Sequence, residues 1–357
     1  MMAAIANDFL IIALAVVLLY KAKPASPFST AFHEDYLSLE STGNLRGLLS
    51  IVIVIHHLAQ NVPGLVLFPL FSKLGFQTVA VFFALSGYGL MKQYIRQENY
   101  SHKFLRRRLP TIALPYLIAT LAFWGGYELM GMHRTPARVL MSFVDGFPIV
   151  TPSWFLVGLL MFYVAFRILI ALCKKRYRAI LVGSVIFCVL YALGCHAAGY
   201  GIWWYNTIIS IVFGMFWALY EMPITQFFHR RYWIAAPALF LLFFVQYGSK
   251  ILLNPYIHSI TLTVSLTWLT SILFTGCVLV ALMKLKFDNP LLRWLGSISL
   301  ETYLYHYLFI LLLRSRVIDI TNDFVYVLAV ILCTLVTAQA MHWVNTRVLN
   351  TYKKICK

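Results

Sequence analysis

The sequence predicts an all-α protein, a polytopic membrane helix bundle with ten core helices and one extra helix at the N-terminus. Two observations carry this prediction. Of the 357 residues, 61% are hydrophobic and only 11% are charged, whereas an ordinary soluble domain is about 25% charged. Eleven apolar stretches also approach the length of about 20 residues that a helix needs to cross a bilayer. These features exclude a soluble enzyme, a disordered chain and a fibrous repeat.

The eleven predicted spans are separated by short polar loops, and no internal repeat is visible. The first two spans are short, and the ninth is long enough to be tilted or broken. The spans are roughly residues 5–20, 45–60, 76–94, 109–130, 153–172, 179–196, 202–220, 232–248, 257–283, 297–313 and 324–345.

The Lys and Arg residues predict the orientation of these spans, because they collect in cytoplasmic loops. With the N-terminus outside, 22 of the 29 basic residues fall in cytoplasmic segments and 6 in outer segments, and Arg167 lies within a span. The C-terminus is therefore predicted to be cytoplasmic. The net charge of +17 is attributed to this topology and not to nucleic-acid binding, so no nucleic-acid partner is expected.

The chain is predicted to have two parts. Residues 1–43 form an extra transmembrane helix with a cytoplasmic connector, and residues 44–357 form the transmembrane body. The first apolar run lacks a preceding positive segment, which favours a retained helix over a cleaved signal peptide. The cysteines have no metal-ligand spacing, which favours buried thiols over disulfides or a metal site; they are Cys173, Cys188, Cys195, Cys277, Cys333 and Cys356.

The second span carries the sharpest functional candidates. Asn44 is predicted to be its N-cap, which places Arg46 in the first turn, where a cation is disfavoured unless an anion binds there. His57 follows 11 residues later, about 16 Å deeper and within about 20° of the same face, near the middle of the hydrocarbon core. His56 points about 80° away. A lone histidine is more often a packing residue, but this spacing favours a functional pair.

The loop after the third span is strongly basic. Arg106 and Arg108 directly precede a helix that is predicted to start near Pro110. Taken alone, this cluster is typical of a positive-inside anchor. The alternative is a grip on a cytoplasmic ligand that carries phosphate, because guanidinium groups bind phosphate bidentately.

Two further features have both a structural and a functional interpretation, and a third has only a structural one. Residues 86–89, Ser-Gly-Tyr-Gly, are predicted to interrupt the third span. Their small side chains would either allow two helices to pack closely or leave room for a ligand. Trp154 opens the fifth span as an interface anchor or as a surface on which a sugar stacks. Glu128, Asp145 and Glu221 lie near span ends, where solvation predicts no special role.

The tenth span is rich in polar and aromatic residues. His306 is predicted to lie about 14 Å from its inner end, a depth similar to that of His57. Glu301 lies five residues earlier and on a different face, whereas Thr302 shares the face of His306. A polar contact between helices and a role in the site are equally favoured here.

Taken together, these motifs resemble those of the acyltransferase-3 family of integral membrane acyltransferases. The resemblance covers roughly residues 42–345 and leaves the N-terminal helix as an addition. The matching segments are Arg46 with His57 at the family spacing, Phe82-Phe83-Ala84-Leu85-Ser86-Gly87-Tyr88, Arg106-Arg107-Arg108, Trp154-Phe155-Leu156 and Ser299-Leu300-Glu301-Thr302-Tyr303-Leu304-Tyr305-His306.

The resemblance implies transfer of a short acyl group, usually acetyl, from cytoplasmic acyl-CoA to a glycan or lipid-linked sugar of the cell envelope, in a bacterial plasma membrane. His57 would be the general base or be transiently acylated. No permanently bound cofactor and no metal are implied, since acyl-CoA is a co-substrate. Arg46, Arg106 and Arg108 would hold the phosphates, and Arg46 and His306 are expected beside His57 as catalytic residues. His306 or Tyr303 would orient the acceptor, and the expected substrate contacts are His56, Ser86, Tyr88, Trp154 and Tyr303.

Two other classes of function remain open at this stage. A transporter or flippase for a glycan or an anionic solute would also use a basic entrance and buried polar groups. Transporters often have two related halves with matched broken helices, and no such pairing is visible. A structural or sensory membrane protein would make His57 a packing residue. The sequence leaves open the acceptor, the length of the acyl group and the oligomeric state.

Overall fold

The computed structural model describes residues 2–25, 31–97, 100 and 104–355, and it is almost entirely α-helical. Two three-residue strands, β1 Ala22–Pro24 and β2 Leu285–Phe287, pair antiparallel. The α-helices are α1 Met2–Leu19, α2 Leu39–Ala59, α3 Leu67–Phe71, α4 Gly75–Arg96, α5 Phe104–Arg108, α6 Pro110–Leu129, α7 Pro136–Met141, α8 Trp154–Cys173, α9 Tyr177–Ala197, α10 Ile209–Leu219, α11 Glu221–Leu253, α12 Ile260–Leu282, α13 Pro290–Ser297, α14 Ser299–Leu312 and α15 Asp323–Ile355. The prediction of an all-α helix bundle is confirmed.

Among the described residues, nine helices are long and apolar enough to cross a membrane, and they correspond to nine of the eleven predicted spans. The other two predicted spans are α4 and α14. Helix α4 has 22 residues but a more polar composition, and α14 has only 14 residues, about 21 Å. The ninth predicted span forms a single helix, α12.

Helices α4 and α14 lie at the centre of the bundle, which explains their composition. Each contributes residues to both large apolar clusters of the core: Phe83 and Tyr303 to one, Val81 and Ile310 to the other. A helix surrounded by protein need not present an apolar surface to lipid, so it can be short or carry polar side chains. The central helices are therefore the ones on which polar chemistry can be placed.

The prediction that Asn44 caps the second span is wrong. Helix α2 begins at Leu39, and the N-cap is Ser38, whose side chain accepts a hydrogen bond from the Ser41 amide. Asn44 is buried within the helix and donates from Nδ2 to the Phe287 carbonyl at 2.6 Å. Ser38 is the better cap because a glutamate follows in the first turn. Arg46 consequently lies two turns into α2, and the dipole argument does not apply to it.

The predicted interruption of the third span is also wrong, because α4 is continuous through residues 86–89. The small residues serve helix packing instead. A Cβ atom on Gly87 would lie 1.9 Å from the Ile211 carbonyl oxygen, and one on Gly214 would lie 1.9 Å from the Ala84 oxygen. Helices α4 and α10 therefore cross with their backbones in contact, as small residues permit.

We expect Gly87→Ala to destabilise the protein by about 1–3 kcal/mol, the usual range for an overpacked core. The added methyl group would overlap the α10 backbone, which cannot rotate away as a side chain can. Gly89→Ala is the matched control, because nothing lies within 4 Å of a Cβ atom at that position. Thermal unfolding in detergent measures the difference, and equal melting temperatures for the two variants would contradict the backbone contact.

The N-terminal part is docked on the body near β2. Besides the β1–β2 pair, the Lys286 ammonium lies 2.5 Å from the Asp35 carboxylate, and its hydrogen bond lowers the pKa of that carboxyl group. Asn289 donates from Nδ2 to the Val17 carbonyl at the end of α1, at 2.7 Å. The connector is thus held against the segment between α12 and α13. The domain boundary at residue 43 stays a prediction.

Candidate active site

The structure brings together the two histidines that the sequence placed at similar depth. His57 lies in the last turn of α2, and His306 lies in the middle of α14, completely buried. Their rings stack with centroids 5.1 Å apart and an interplanar angle of 28°. The His56 ring contacts that of His57 in an edge-on arrangement, with centroids 4.7 Å apart. Three imidazole rings therefore form one compact group.

Hydrogen bonds fix the tautomer of His57. The Phe71 carbonyl can only accept, so His56 Nδ1, at 2.9 Å, must carry a proton. Neutral His56 then accepts at Nε2 from the Gln60 amide nitrogen at 3.3 Å. The Gln60 oxygen in turn accepts from His57 Nδ1 at 3.2 Å. A neutral imidazole with its proton on Nδ1 has its lone pair on Nε2. The hydrogen bonds that connect the Phe71 carbonyl through His56 and Gln60 to His57, called the histidine relay below, therefore leave His57 Nε2 free to act as a base.

His306 has the same tautomer for a similar reason. Its Nδ1 donates to the backbone carbonyls of Tyr303, at 2.8 Å, and Thr302, at 3.2 Å. Its Nε2 atom is buried and has no hydrogen-bond partner among the described residues. A buried acceptor without a donor lowers the stability of the folded protein, so such atoms are rare in native structures. A hydroxyl group of a bound substrate would supply the missing donor.

Aromatic residues enclose the histidines. The Tyr307 ring stands edge-on to His57, with centroids 5.4 Å apart. The Tyr303 hydroxyl, expected to orient an acceptor, donates to the Pro152 carbonyl. This bond ties α14 to the 3-10 turn that precedes Trp154, which is half-buried at the start of α8. Tyr303 and Trp154 are thus close in the fold, on the His306 side of the cluster.

A basic cavity of about 850 Å³ lies along α2 and α4, bounded by α11 and by the connector. Arg46 is exposed to it and makes no hydrogen bond with another described residue. Ser86, Tyr88 and Gly89 form part of the α4 wall. The other basic residues on the wall are Lys92, Arg96 and Arg108.

Four acidic residues also line this cavity: Glu34, Asp35, Glu40 and Glu221. Glu221 pairs with Lys92 on the wall itself, whereas two of the others pair outside the cavity. Asp35 pairs with Lys286, which lies outside the lining, and Glu40 pairs in the same way with Arg293 at 2.7 Å. Arg46, Arg96 and Arg108 form no ion pair with another described residue, so three guanidinium groups face the space. An anion is the ligand that this field favours.

A second basic cavity of about 530 Å³ adjoins the first. Arg108 lines both cavities and donates to the Gln93 side chain at 2.6 Å. Arg106 lines only the second cavity, beside Lys353 and Tyr352. The three arginines that were predicted to act together are therefore divided between two spaces, with Arg108 at their junction.

Arg46 and His57 share one helix, with about 16 Å of axial rise between them. Packed rings lead from the basic cavity toward His306: Phe82 lines the cavity and contacts Phe155 at 6.1 Å between centroids. Phe155 contacts Tyr303 at 5.5 Å, and Tyr303 contacts His306 at 6.1 Å. The two halves of the site are thus joined by one aromatic wall.

Two residues of the site, Glu221 and Gln60, were not identified from the sequence. Glu221, expected to be solvated, has a side chain only 20% exposed; it pairs with Lys92 and accepts from the Tyr88 hydroxyl at 3.0 Å. These partners are more than 120 residues away in sequence, so no local pattern indicates them. Gln60 was also missed, although its spacing of three and four residues from the histidines is the signal for side-chain contact on a helix.

The titratable groups in the described part of the chain include no candidate metal centre. No cluster of three or more metal-ligating side chains occurs in residues 2–25, 31–97, 100 and 104–355. The five cysteines in these ranges are free thiols, and Cys356 lies outside them.

The fold and the site define an integral membrane protein that joins a basic cavity to a buried histidine cluster. Residues 41–343 match the family described as "Acyltransferase domain", which confirms the predicted resemblance to the acyltransferase-3 family. The chain belongs to this family and is a membrane acyltransferase. Comparison with curated proteins and with solved structures gives no match. Helix α1, β1 and most of the connector precede the matched region.

Proposed function

We propose that the protein transfers a short acyl group, acetyl, from cytoplasmic acyl-CoA to a hydroxyl group of a cell-envelope glycan or lipid-linked sugar. The observation that carries this proposal is the histidine relay. It leaves the lone pair of His57 on Nε2, beside a buried His306 that lacks a donor. A neutral imidazole with a free Nε2 is the group that a general base requires.

The two basic cavities would bind the donor. Acyl-CoA has a diphosphate and a 3′-phosphate, joined by a ribose and followed by a thin arm with the thioester. Arg46 and Arg108 would hold the diphosphate in the larger cavity. The second cavity combines Arg106 and Lys353 with aromatic rings, and these groups suit the 3′-phosphate and the adenine. Arg108, at the junction, would contact both ends of the nucleotide.

In the proposed step, the thioester arm follows the aromatic wall toward His57. His57 Nε2 takes the proton of the acceptor hydroxyl while its oxygen attacks the thioester carbonyl. The C–S bond then breaks, and the CoA thiolate leaves and recovers the proton. A second hydroxyl of the sugar would donate to His306 Nε2. Such a base contributes about 10²–10⁴-fold, and alignment of the two substrates would supply much of the rest.

A two-stage reaction is the alternative within the same function. His57 Nε2 would attack the thioester itself and release the CoA thiolate, and the acyl-imidazole would then pass its acyl group to the hydroxyl. The relay supports this route equally, because it also needs the Nε2 lone pair. The two routes differ in whether the protein becomes labelled when no acceptor is present.

The proposed orientation puts the N-terminus outside, the C-terminus in the cytoplasm and the basic cavities on the cytoplasmic face of a bacterial plasma membrane. The distribution of Lys and Arg between alternate segments supports it. Acyl-CoA is a cytoplasmic metabolite, so a basic entrance on that face would meet its donor directly.

The experiment that tests the proposal is acyl transfer in liposomes. Purified protein is incubated with radiolabelled acetyl-CoA and a membrane-glycan extract, and protein-free liposomes are the control. We expect label in the glycan fraction only when the protein is present, with succinyl-CoA as a poorer donor. Direct acetyl-CoA binding is measured in parallel, and a protein that neither binds the donor nor transfers label would favour the transporter.

We expect Arg108→Gln to weaken acetyl-CoA binding by about 10–100-fold, since a charge-assisted hydrogen bond contributes about 1.5–3 kcal/mol. The substitution removes one guanidinium group from the junction of the two cavities. Arg230→Gln is the matched control, because it removes the same charge from an exposed position in α11 that lines neither cavity. Isothermal titration measures both affinities, and unchanged binding in Arg108→Gln would restrict this arginine to a role in topology.

A further inference from the structure

Helix α1 is an apolar helix that carries one carboxylate, Asp8, in its second turn. An ionisable residue within an apolar span is uncommon and is a functional candidate by default. The Asp8 carboxylate accepts three backbone hydrogen bonds, from the amides of Val66, Leu67 and Phe68, at 2.8, 3.0 and 2.9 Å. The neighbouring Asn7 donates to the Pro63 carbonyl at 3.2 Å. Both polar side chains of α1 are thus bound to the loop between α2 and α4.

That loop continues directly into the histidine relay. The three amides bound by Asp8 stand at the start of α3, a helix of only five residues. The last residue of α3 is Phe71, whose carbonyl accepts from His56. A single helical turn therefore separates the atoms that Asp8 holds from the atom that sets the His56 tautomer.

We propose that α1 is a positioning element of the histidine site, with Asp8 as its positioning residue. Asp8 holds α3 so that the Phe71 carbonyl keeps the proton on His56 Nδ1, and through Gln60 this keeps the lone pair on His57 Nε2. This inference rests on the proposed function for its catalytic consequence, but the coupling between Asp8 and His57 is a separate property. It gives the helix outside the matched family region a direct part in the site.

Loss of Asp8 has a defined physical effect. The amides at the start of α3 would lose their acceptors, and α3 would shift to find new ones. His56 could then release Phe71 and rotate, and Gln60 would no longer be held in one orientation. His57 would populate the tautomer with its proton on Nε2, which cannot accept a proton there.

The other end of α1 offers a matched control. Asn289 donates from Nδ2 to the carbonyls of Val17 and Leu18, and its Oδ1 accepts from the Leu291 amide as the N-cap of α13. Asn289→Ser keeps a capping oxygen but loses the two hydrogen bonds to α1. This variant loosens α1 without touching the contact between Asp8 and α3.

The kinetic test compares full-length Asp8→Ala, Asp8→Asn and Asn289→Ser in liposomes. We expect Asp8→Ala to lower kcat by about 10–100-fold, because a misplacement of about 1 Å can cost about 100-fold. The KM for acetyl-CoA should stay unchanged, since Asp8 lines neither basic cavity. Asp8→Asn keeps one acceptor oxygen and should lose less, and Asn289→Ser should behave as wild type. Equal losses in Asp8→Ala and Asn289→Ser would overturn the proposal, since α1 would then be a general anchor.

A spectroscopic readout separates this inference from the proposed function. The ¹⁵N chemical shifts of labelled histidine distinguish the two neutral tautomers, and the His57 signals are those missing in His57→Ala. We expect the Nδ1–H tautomer in the wild type and a mixture in the Asp8 variants, whether or not any acceptor is labelled. Gln60→Met breaks the same relay with α1 intact and should give the same mixture. An unchanged His57 tautomer in a folded Asp8 variant, or in Gln60→Met, would refute the coupling.

Discussion

Replacing His57 by alanine should reduce the rate of acyl transfer by about 10²–10⁴-fold, which is the usual contribution of a positioned general base. The KM for acetyl-CoA should change little, because His57 lines neither basic cavity. The His57 ring is only half-buried. Its removal therefore leaves a small space at the end of α2, and the variant should still fold. Initial rates of label transfer in liposomes, normalised to folded protein by size-exclusion chromatography, give the comparison.

Two controls make this result specific. His196→Ala removes an exposed imidazole at the end of α9, remote from the cluster, and should transfer at the wild-type rate. His306→Ala should also lose activity, since it removes the stacked partner of His57. Transfer at the wild-type rate by folded His57→Ala would remove the central group of the mechanism. The family assignment would not change, but the general base would then have to be another residue.

A labelling experiment without acceptor tests whether His57 becomes acylated during the reaction. Wild-type protein incubated with radiolabelled acetyl-CoA and no acceptor would retain protein-bound label if an acyl-imidazole forms. That label would be absent in His57→Ala and would be released by hydroxylamine. Absence of bound label in an active wild-type preparation would favour direct attack by the acceptor.

Arg46→Gln should weaken acetyl-CoA binding as strongly as Arg108→Gln. Arg46 is exposed to the basic cavity and makes no hydrogen bond with another described residue, so its guanidinium group is available to a ligand. We expect the Kd for acetyl-CoA to rise by about 10–100-fold, the equivalent of about 1.5–3 kcal/mol. Arg46→Lys should recover part of the loss, because lysine keeps the charge but not the bidentate fork.

The measurement is a titration of acetyl-CoA against detergent-solubilised protein at two salt concentrations. An electrostatic contact weakens as salt rises, so the difference between wild type and Arg46→Gln should shrink at high salt. Arg230→Gln again serves as the charge-matched control. Equal affinity in wild type and Arg46→Gln would mean that the larger cavity does not bind the donor phosphates.

The sequence predicted the helices well because length and hydropathy alone identify a span. It placed His57 and His306 at a similar depth but did not predict that they meet. Depth along two helices restricts which residues can touch, but it does not say which helices are neighbours. The neighbours became known only from the packing of α2 against α14. That the two imidazoles do meet supports the use of depth as a constraint when no structure is at hand.

The failures have identifiable physical causes. Ser38 and Asn44 are both competent N-caps, and the choice between them depends on Asn44 finding the Phe287 carbonyl, 243 residues away. The role of Glu221 likewise depends on Lys92 and Tyr88, which reach it from another helix. Arg106 and Arg108 both line the second cavity, but only Arg108 also reaches the first. The errors on Asn44 and Glu221 arose where a side chain has a partner that is distant in the sequence.

The contact between α4 and α10 also restricts how this enzyme can vary. Gly87 cannot acquire a side chain, because the Ile211 carbonyl occupies the space, whereas Gly89 on the same helix faces open space in the wall of the basic cavity. A larger residue at position 89 would reduce the volume of that cavity and leave the helix crossing unchanged. One fixed position and one adjustable position thus lie within a single turn. Under the proposed function, a substitution at position 89 can therefore change the size of the ligand that the cavity accepts without loosening the bundle.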